Sequence, residues 1–109
     1  MKNLLYAILV LSITTLLFSC NRRVKICASA DSTGYWIGDT INFDASCSEN
    51  VEIYNWVPRE GLTMIGNGQG PAESFIVEPL PNATLSRTVE LTVSNSKGTA
   101  SRTESVIVY

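Results

Sequence analysis

The most reactive groups in this 109-residue chain are three thiols, Cys20, Cys27 and Cys47. A thiolate can attack an electrophile, hold a soft metal, take a lipid or close a disulfide. The chain has no histidine, so neither a Ser–His nor a Cys–His pair can form, and the usual general base near neutral pH is missing. Carboxylates remain. Asp44, Glu49 and Glu52 are the acids a glycosidase would draw on, but two acids must flank a substrate cleft. A chain this short has little room for one, and they read as surface groups. Asp39, Asp44 and Glu49 could offer hard oxygen ligands to calcium, yet no D-x-D-x-D-G run accompanies them. Gly66-x-Gly68-x-Gly70 has glycine spacing suited to cradling phosphate, which also requires a following helix N-terminus. Pro71 and another apolar run follow instead, so a flexible turn is expected. The expectation is a non-enzyme with no cofactor and no metal.

The elements that position these groups begin with a targeting segment. Lys2 and Asn3 form a positive, polar start, and residues 4–18 are apolar apart from Ser12, Thr14 and Thr15. About 15 helical residues rise only ~22 Å, short of the ~30 Å hydrocarbon core of a bilayer. A helical signal peptide fits this better than a spanning helix, and an anchor helix is the alternative. The segment ends in Leu17-Phe18-Ser19-Cys20, which resembles the lipobox of bacterial lipoproteins. Leu17, Ser19 and Cys20 match, while Phe18 is larger than that position usually holds. The resemblance implies cleavage before Cys20 and a diacylglycerol on its thiol. Residues 1–19 are then signal peptide and 20–24 a lipidated tether. Arg22, Arg23 and Lys25 follow the lipid site, where each gains roughly 1 kcal/mol beside anionic headgroups; a solvated tether is the alternative.

With Cys20 carrying lipid, Cys27 and Cys47 make an even pair in an oxidising compartment, and a disulfide between them is expected. Two buried free thiols are the alternative. Loss of Lys2 with the signal peptide takes the formal charge from −2 to −3. That balance argues against a nucleic-acid partner, whose binding rests on clustered Lys and Arg.

From residue 25 onward the pattern is short strands separated by turn residues, with no long helical periodicity. Strands are expected over residues 24–29, 41–46, 51–57, 62–65, 74–77, 88–93 and 99–109, the last two joined by a turn at Ser96-Lys97-Gly98. Val89, Leu91 and Val93 alternate with Thr88, Glu90 and Thr92. About seven such strands predict an all-β, antiparallel sandwich over residues 25–109. In the third strand Tyr54 and Trp56 share one face and Val51, Ile53 and Val57 the other, and periodicity leaves open which is inside.

Gly38-Asp39-Thr40-Ile41-Asn42-Phe43-Asp44-Ala45-Ser46 resembles the G-x-x-V-x-F-x-A-S second strand of PKD domains, an immunoglobulin-like family. Tyr54-Asn55-Trp56 is similar to their Y-x-W third strand. The usual D-F-G-D-G is absent. In its place Val57-Pro58-Arg59-Glu60-Gly61-Leu62 and Gly66-Asn67-Gly68-Gln69-Gly70 resemble PKD-like variants of Bacteroidetes surface and secreted proteins. Val89-Glu90-Leu91-Thr92-Val93-Ser94-Asn95-Ser96-Lys97-Gly98-Thr99 is similar to their closing V-x-V-x-A-x-N-x-x-G-x-S. The resemblance implies that Tyr54 and Trp56 belong to the core, which leaves Ile53 facing outward or into a bulge. It also implies a spacer or interaction role.

The expected function is therefore a membrane-tethered interaction or structural module of a bacterial cell envelope, on the outer membrane and facing the periplasm. The membrane, through Cys20, and an envelope protein or glycan are its expected partners. A small envelope hydrolase with a carboxylate site and a structural subunit of a secretion or polysaccharide-uptake assembly are the alternatives. Ile53 and the hydroxyls of Thr88, Thr92, Thr99, Ser101 and Thr103 are the expected contact surface. Asp31-Ser32-Thr33 and Asp39-Thr40-Ile41 match a short bacterial O-glycosylation pattern, which makes Ser32 and Thr40 candidate acceptors; turn capping is the alternative.

Overall fold

A computed structural model describes residues 22–81 and 85–109. The signal-peptide expectation for residues 1–19 and the lipidation expectation for Cys20 lie outside the described residues. Eight strands run in order: β1 (Ser29–Ala30), β2 (Gly34–Tyr35), β3 (Thr40–Asp44), β4 (Ile53–Pro58), β5 (Leu62–Met64), β6 (Ala72–Val77), β7 (Ser86–Asn95) and β8 (Gly98–Val108). They form two four-stranded sheets, β1-β3-β6-β5 and β2-β8-β7-β4. All pairings are antiparallel except β2 with β8, which is parallel. The first sheet and the β4-β7-β8 unit have the strand order of an immunoglobulin constant-type sandwich. The expected all-β sandwich is the observed fold, with β2 as the strand beyond seven.

Alternation of side chains explains why these segments pair face to face. On β3, Ile41 and Phe43 are buried while Thr40, Asn42 and Asp44 are exposed. On β7, Arg87, Val89, Leu91 and Val93 point inward. The centre of the core is an aromatic cluster from three strands. Phe43 lies 5.8 Å from both Trp56 and Phe75, and Trp56 lies 6.4 Å from Phe75, measured between ring centroids. Such spacings are favourable for tilted and edge-on rings. Trp56 is thus inside, and Ile53 is 61% exposed on the opposite face of β4.

The first strand is shorter than its apolar alternation suggests. Only Ser29–Ala30 pairs as a strand, with an isolated bridge between Lys25 and Glu49 upstream. Between them the Ser48 hydroxyl accepts from the Cys27 N–H at 2.9 Å and donates to the Cys27 carbonyl at 2.8 Å. A side chain thereby replaces the ladder bonds, because the opposite strand turns at Ala45–Ser48, closed by Ser48 N–H to the Ala45 carbonyl at 2.9 Å. Cys27 and Cys47 are joined by a disulfide across this gap, with Cα atoms 5.5 Å apart.

Candidate interaction face

The second sheet turns one side to the core and the other to solvent, and its register decides which residues meet there. Ile53, Asn55 and Val57 of β4 lie opposite Ser94, Thr92 and Glu90 of β7. Those three pair in turn with Thr99, Ser101 and Thr103 of β8, and Thr88 pairs with Ser105. Five hydroxyl residues of the β7-β8 hairpin, Thr88, Thr92, Thr99, Ser101 and Thr103, therefore share one outward face with the sequence-distant Ile53. The hydroxyls of Thr88 and Ser105 are 3.1 Å apart, as are those of Thr92 and Ser101, so each pair shares a cross-strand hydrogen bond. Such pairs stiffen a sheet face while leaving lone pairs free for a ligand. Arg59 and Glu90 form an ion pair at 3.7 Å, with Arg59 exposed and Glu90 half-buried. At the corner of this face Glu52, Ile53, Tyr54, Asn55 and Gln69 line a shallow depression of about 600 Å³.

The other singled-out residues lie elsewhere. Ser32 is exposed, and its hydroxyl donates to the Gly34 carbonyl at 3.2 Å. Thr40 is exposed at the start of β3. Asp39 accepts from the Trp36 N–H at 2.8 Å and so closes a turn. Asp44 accepts from the Ser46 N–H at 2.8 Å, and its hydrogen bonds to Ser46 lower its carboxyl below the ordinary value. Glu49 faces Lys25 at 3.7 Å. Asp39 and Asp44 stand at opposite ends of β3, and no group of three His, Cys, Asp or Glu that could hold a metal occurs among the described residues.

The Gly66–Pro71 loop departs from the flexible turn expected of it. Buried Glu73 accepts the N–H of Gly68 at 3.1 Å and that of Gly70 at 3.4 Å. The loop N–H groups thus converge on an anion, and that anion belongs to the chain itself. The Gly68 and Gly70 carbonyls in turn accept from Trp56, through its backbone N–H and its Nε1–H, each at 2.8 Å. Gly68 has φ +74, and a Cβ there would lie 2.8 Å from Met64 Sδ and 2.9 Å from the Trp56 carbonyl. Glycine spacing alone carries no signal that the carboxylate five residues on would be the occupant.

Two further features escape sequence reasoning. Trp36, Ile37, Leu85, Ile107 and Tyr109 are all exposed at one end of the sandwich, Trp36 at 65% and Tyr109 at 63%, and the two aromatic rings lie 5.5 Å apart. The Trp36-Ile37 pair directly before the Gly38-Asp39 turn was the available signal. Beside it, Tyr35 is buried, and its hydroxyl donates to Asp31 Oδ1 at 2.5 Å while accepting from the Ser32 N–H at 2.8 Å. Burial, then the Asp31 hydrogen bond, push the Tyr35 hydroxyl up to about 12. Asp31 also accepts from the Asn42 side chain at 2.8 Å, and its Tyr35 and Asn42 bonds hold its carboxyl below the ordinary value. Comparison with protein-family models and with curated proteins finds no match to this chain.

Proposed function

We propose that this protein is a membrane-tethered, non-enzymatic PKD-like lipoprotein, anchored through lipid on Cys20, that acts as an interaction or structural module in a bacterial cell envelope. The observation that carries the reading is the outward face of the second sheet, where Ile53 of β4 and a hydroxyl array from β7 and β8 form one surface. A β-sandwich of this size binds through such faces and edges more readily than through deep pockets. The PKD-like assignment draws support from Trp56, a buried tryptophan on the strand that corresponds to the third of the immunoglobulin order. The Cys27–Cys47 disulfide supports an oxidising, extracytoplasmic setting. Against the hydrolase alternative, Asp44 and Glu49 are occupied by Ser46 and Lys25.

Three measurements test the reading. Cells fed labelled fatty acid should label the wild-type chain and not Cys20→Ala; label persisting in the variant refutes the anchor. Tagged, lipidated protein recovered from its own envelope should bring down a defined protein or glycan that Ile53→Asp loses. Hydrolysis of a glycan or peptide library that disappears in Asp44→Asn would instead establish an enzyme.

A further inference from the structure

The N-terminal segment is fastened to one pole of the sandwich. The Asn95 side-chain amide donates to the Arg22 carbonyl at 2.7 Å and to the Asn50 carbonyl at 2.9 Å. The Asn50 amide donates to the Arg23 carbonyl at 3.1 Å, from a residue at φ 61, a backbone conformation asparagine tolerates. Val24 and Ile26 pack against the core, and Lys25 exchanges two backbone hydrogen bonds with Glu49 at 3.0 and 2.9 Å. The Cys27–Cys47 bond closes the series. Residues 22–27 are therefore part of the domain's body and leave little slack.

This pole is also where the cations gather. Arg22, Arg23 and Lys25 are exposed there, as is Lys97 in the β7–β8 turn beside Asn95. Glu49 (paired with Lys25), Glu52, and Asp44 at the near end of β3 are the acids toward the same end, so four cations face three acids and a net excess of positive charge remains. The opposite pole carries the apolar cluster of Trp36, Ile37, Leu85, Ile107 and Tyr109. The two ends are separated by the length of β8, which at ~3.3 Å per residue is about 33 Å.

We infer that the pole formed by Arg22, Arg23, Lys25 and Lys97 docks on the anionic headgroups of the leaflet that holds the Cys20 lipid, so that the sandwich stands upright and presents its aromatic tip away from the bilayer. This rests on the lipoprotein reading above. Two peptide units separate Cys20 from Arg22, a contour of at most about 7 Å, so an acylated Cys20 brings this pole to the headgroups. Attraction to a charged surface fades over a Debye length, about 10 Å at 0.1 M salt. Only this pole lies within that range; the tip, about 33 Å away along β8, lies beyond it. The charges thus resist toppling, and the short attachment sets the height.

The test uses the lipidated protein in vesicles bearing an energy-acceptor dye on a headgroup. A donor dye is placed on Ser96→Cys at the pole or on Ile37→Cys at the tip, and mass spectrometry of the same preparation records the acyl group on Cys20. On vesicles containing phosphatidylglycerol, transfer from the pole should exceed transfer from the tip several-fold. Neutral vesicles, 1 M salt or the Arg22→Ser/Arg23→Ser variant should remove most of that difference by raising transfer from the tip. Equal transfer from both positions on anionic vesicles, or a difference indifferent to lipid charge and salt, overturns the docked pose with the anchor intact. Absence of the acyl mass overturns both it and the reading beneath it.

Discussion

Replacing Glu73 by alanine asks whether the glycine loop is held together by an internal anion. Glu73 is 8% exposed, and its carboxylate accepts two loop N–H groups, that of Gly68 at 3.1 Å in a buried site and that of Gly70 at 3.4 Å in a partly buried one. A buried donor left without a partner costs about 1–3 kcal/mol, and the longer, wetter bond roughly 0.5–1 kcal/mol. Glu73→Ala should therefore destabilise the domain by about 1.5–4 kcal/mol, which for a domain of this size lowers Tm by roughly 6–32 °C. Glu73→Gln keeps an acceptor for the same donors and should lose only about 1 kcal/mol. The loop also accepts both donors of Trp56, so its loosening is visible in Trp56 emission. Urea denaturation, with Trp36→Phe to remove the exposed indole, measures all three proteins. A Glu73→Ala variant within about 0.5 kcal/mol of the parent, or no less stable than Glu73→Gln, would refute the reasoning.

Other outcomes follow from the same geometry. Replacing Cys27 and Cys47 by serine reopens a 20-residue separation and should cost about 3 kcal/mol in the chain-entropy model, read as a shift in urea midpoint that reductant reproduces in the parent. Tyr35 has a folded-state value raised to about 12, above the ~10 of an unfolded chain, so its contribution is fully present below pH 10 and is lost as pH rises through 12. Stability should thus fall across pH 10–12 in the parent, and that component should vanish in Tyr35→Phe. Asp31, with its folded value lowered, works in the opposite sense: stability present above about pH 4 is lost as pH falls through the folded value, and Asp31→Asn should flatten acid denaturation. Gly61→Ala should cost at least about 1 kcal/mol by thermal melting, because φ is +83 and the added Cβ would meet the buried Arg87 side chain.

The sequence by itself determined the strands whose side chains alternate strictly. Val89, Leu91 and Val93 point inward because only one register buries all three, and slipping by one residue would expose them all. It also made the Cys27–Cys47 pairing legible, since setting Cys20 aside leaves an even pair of thiols. Tertiary structure decided the rest. Tyr54 and Trp56 could have faced either way by periodicity, and packing against Phe43 and Phe75 is what places Trp56 inside. The joining of Ile53 to the hydroxyl face exists only through the β4-β7 register, because Ile53 pairs with Ser94, 41 residues on, and no local preference aligns the two. β2 has two residues and a parallel partner at the far end of the chain, so its strand character comes from β8 alone. The fastening of Arg22 by Asn95, 73 residues away, is likewise a contact that closes only after the sheets have formed. Local propensity and period reach a few residues along the chain, whereas these bonds depend on where two distant segments come to lie.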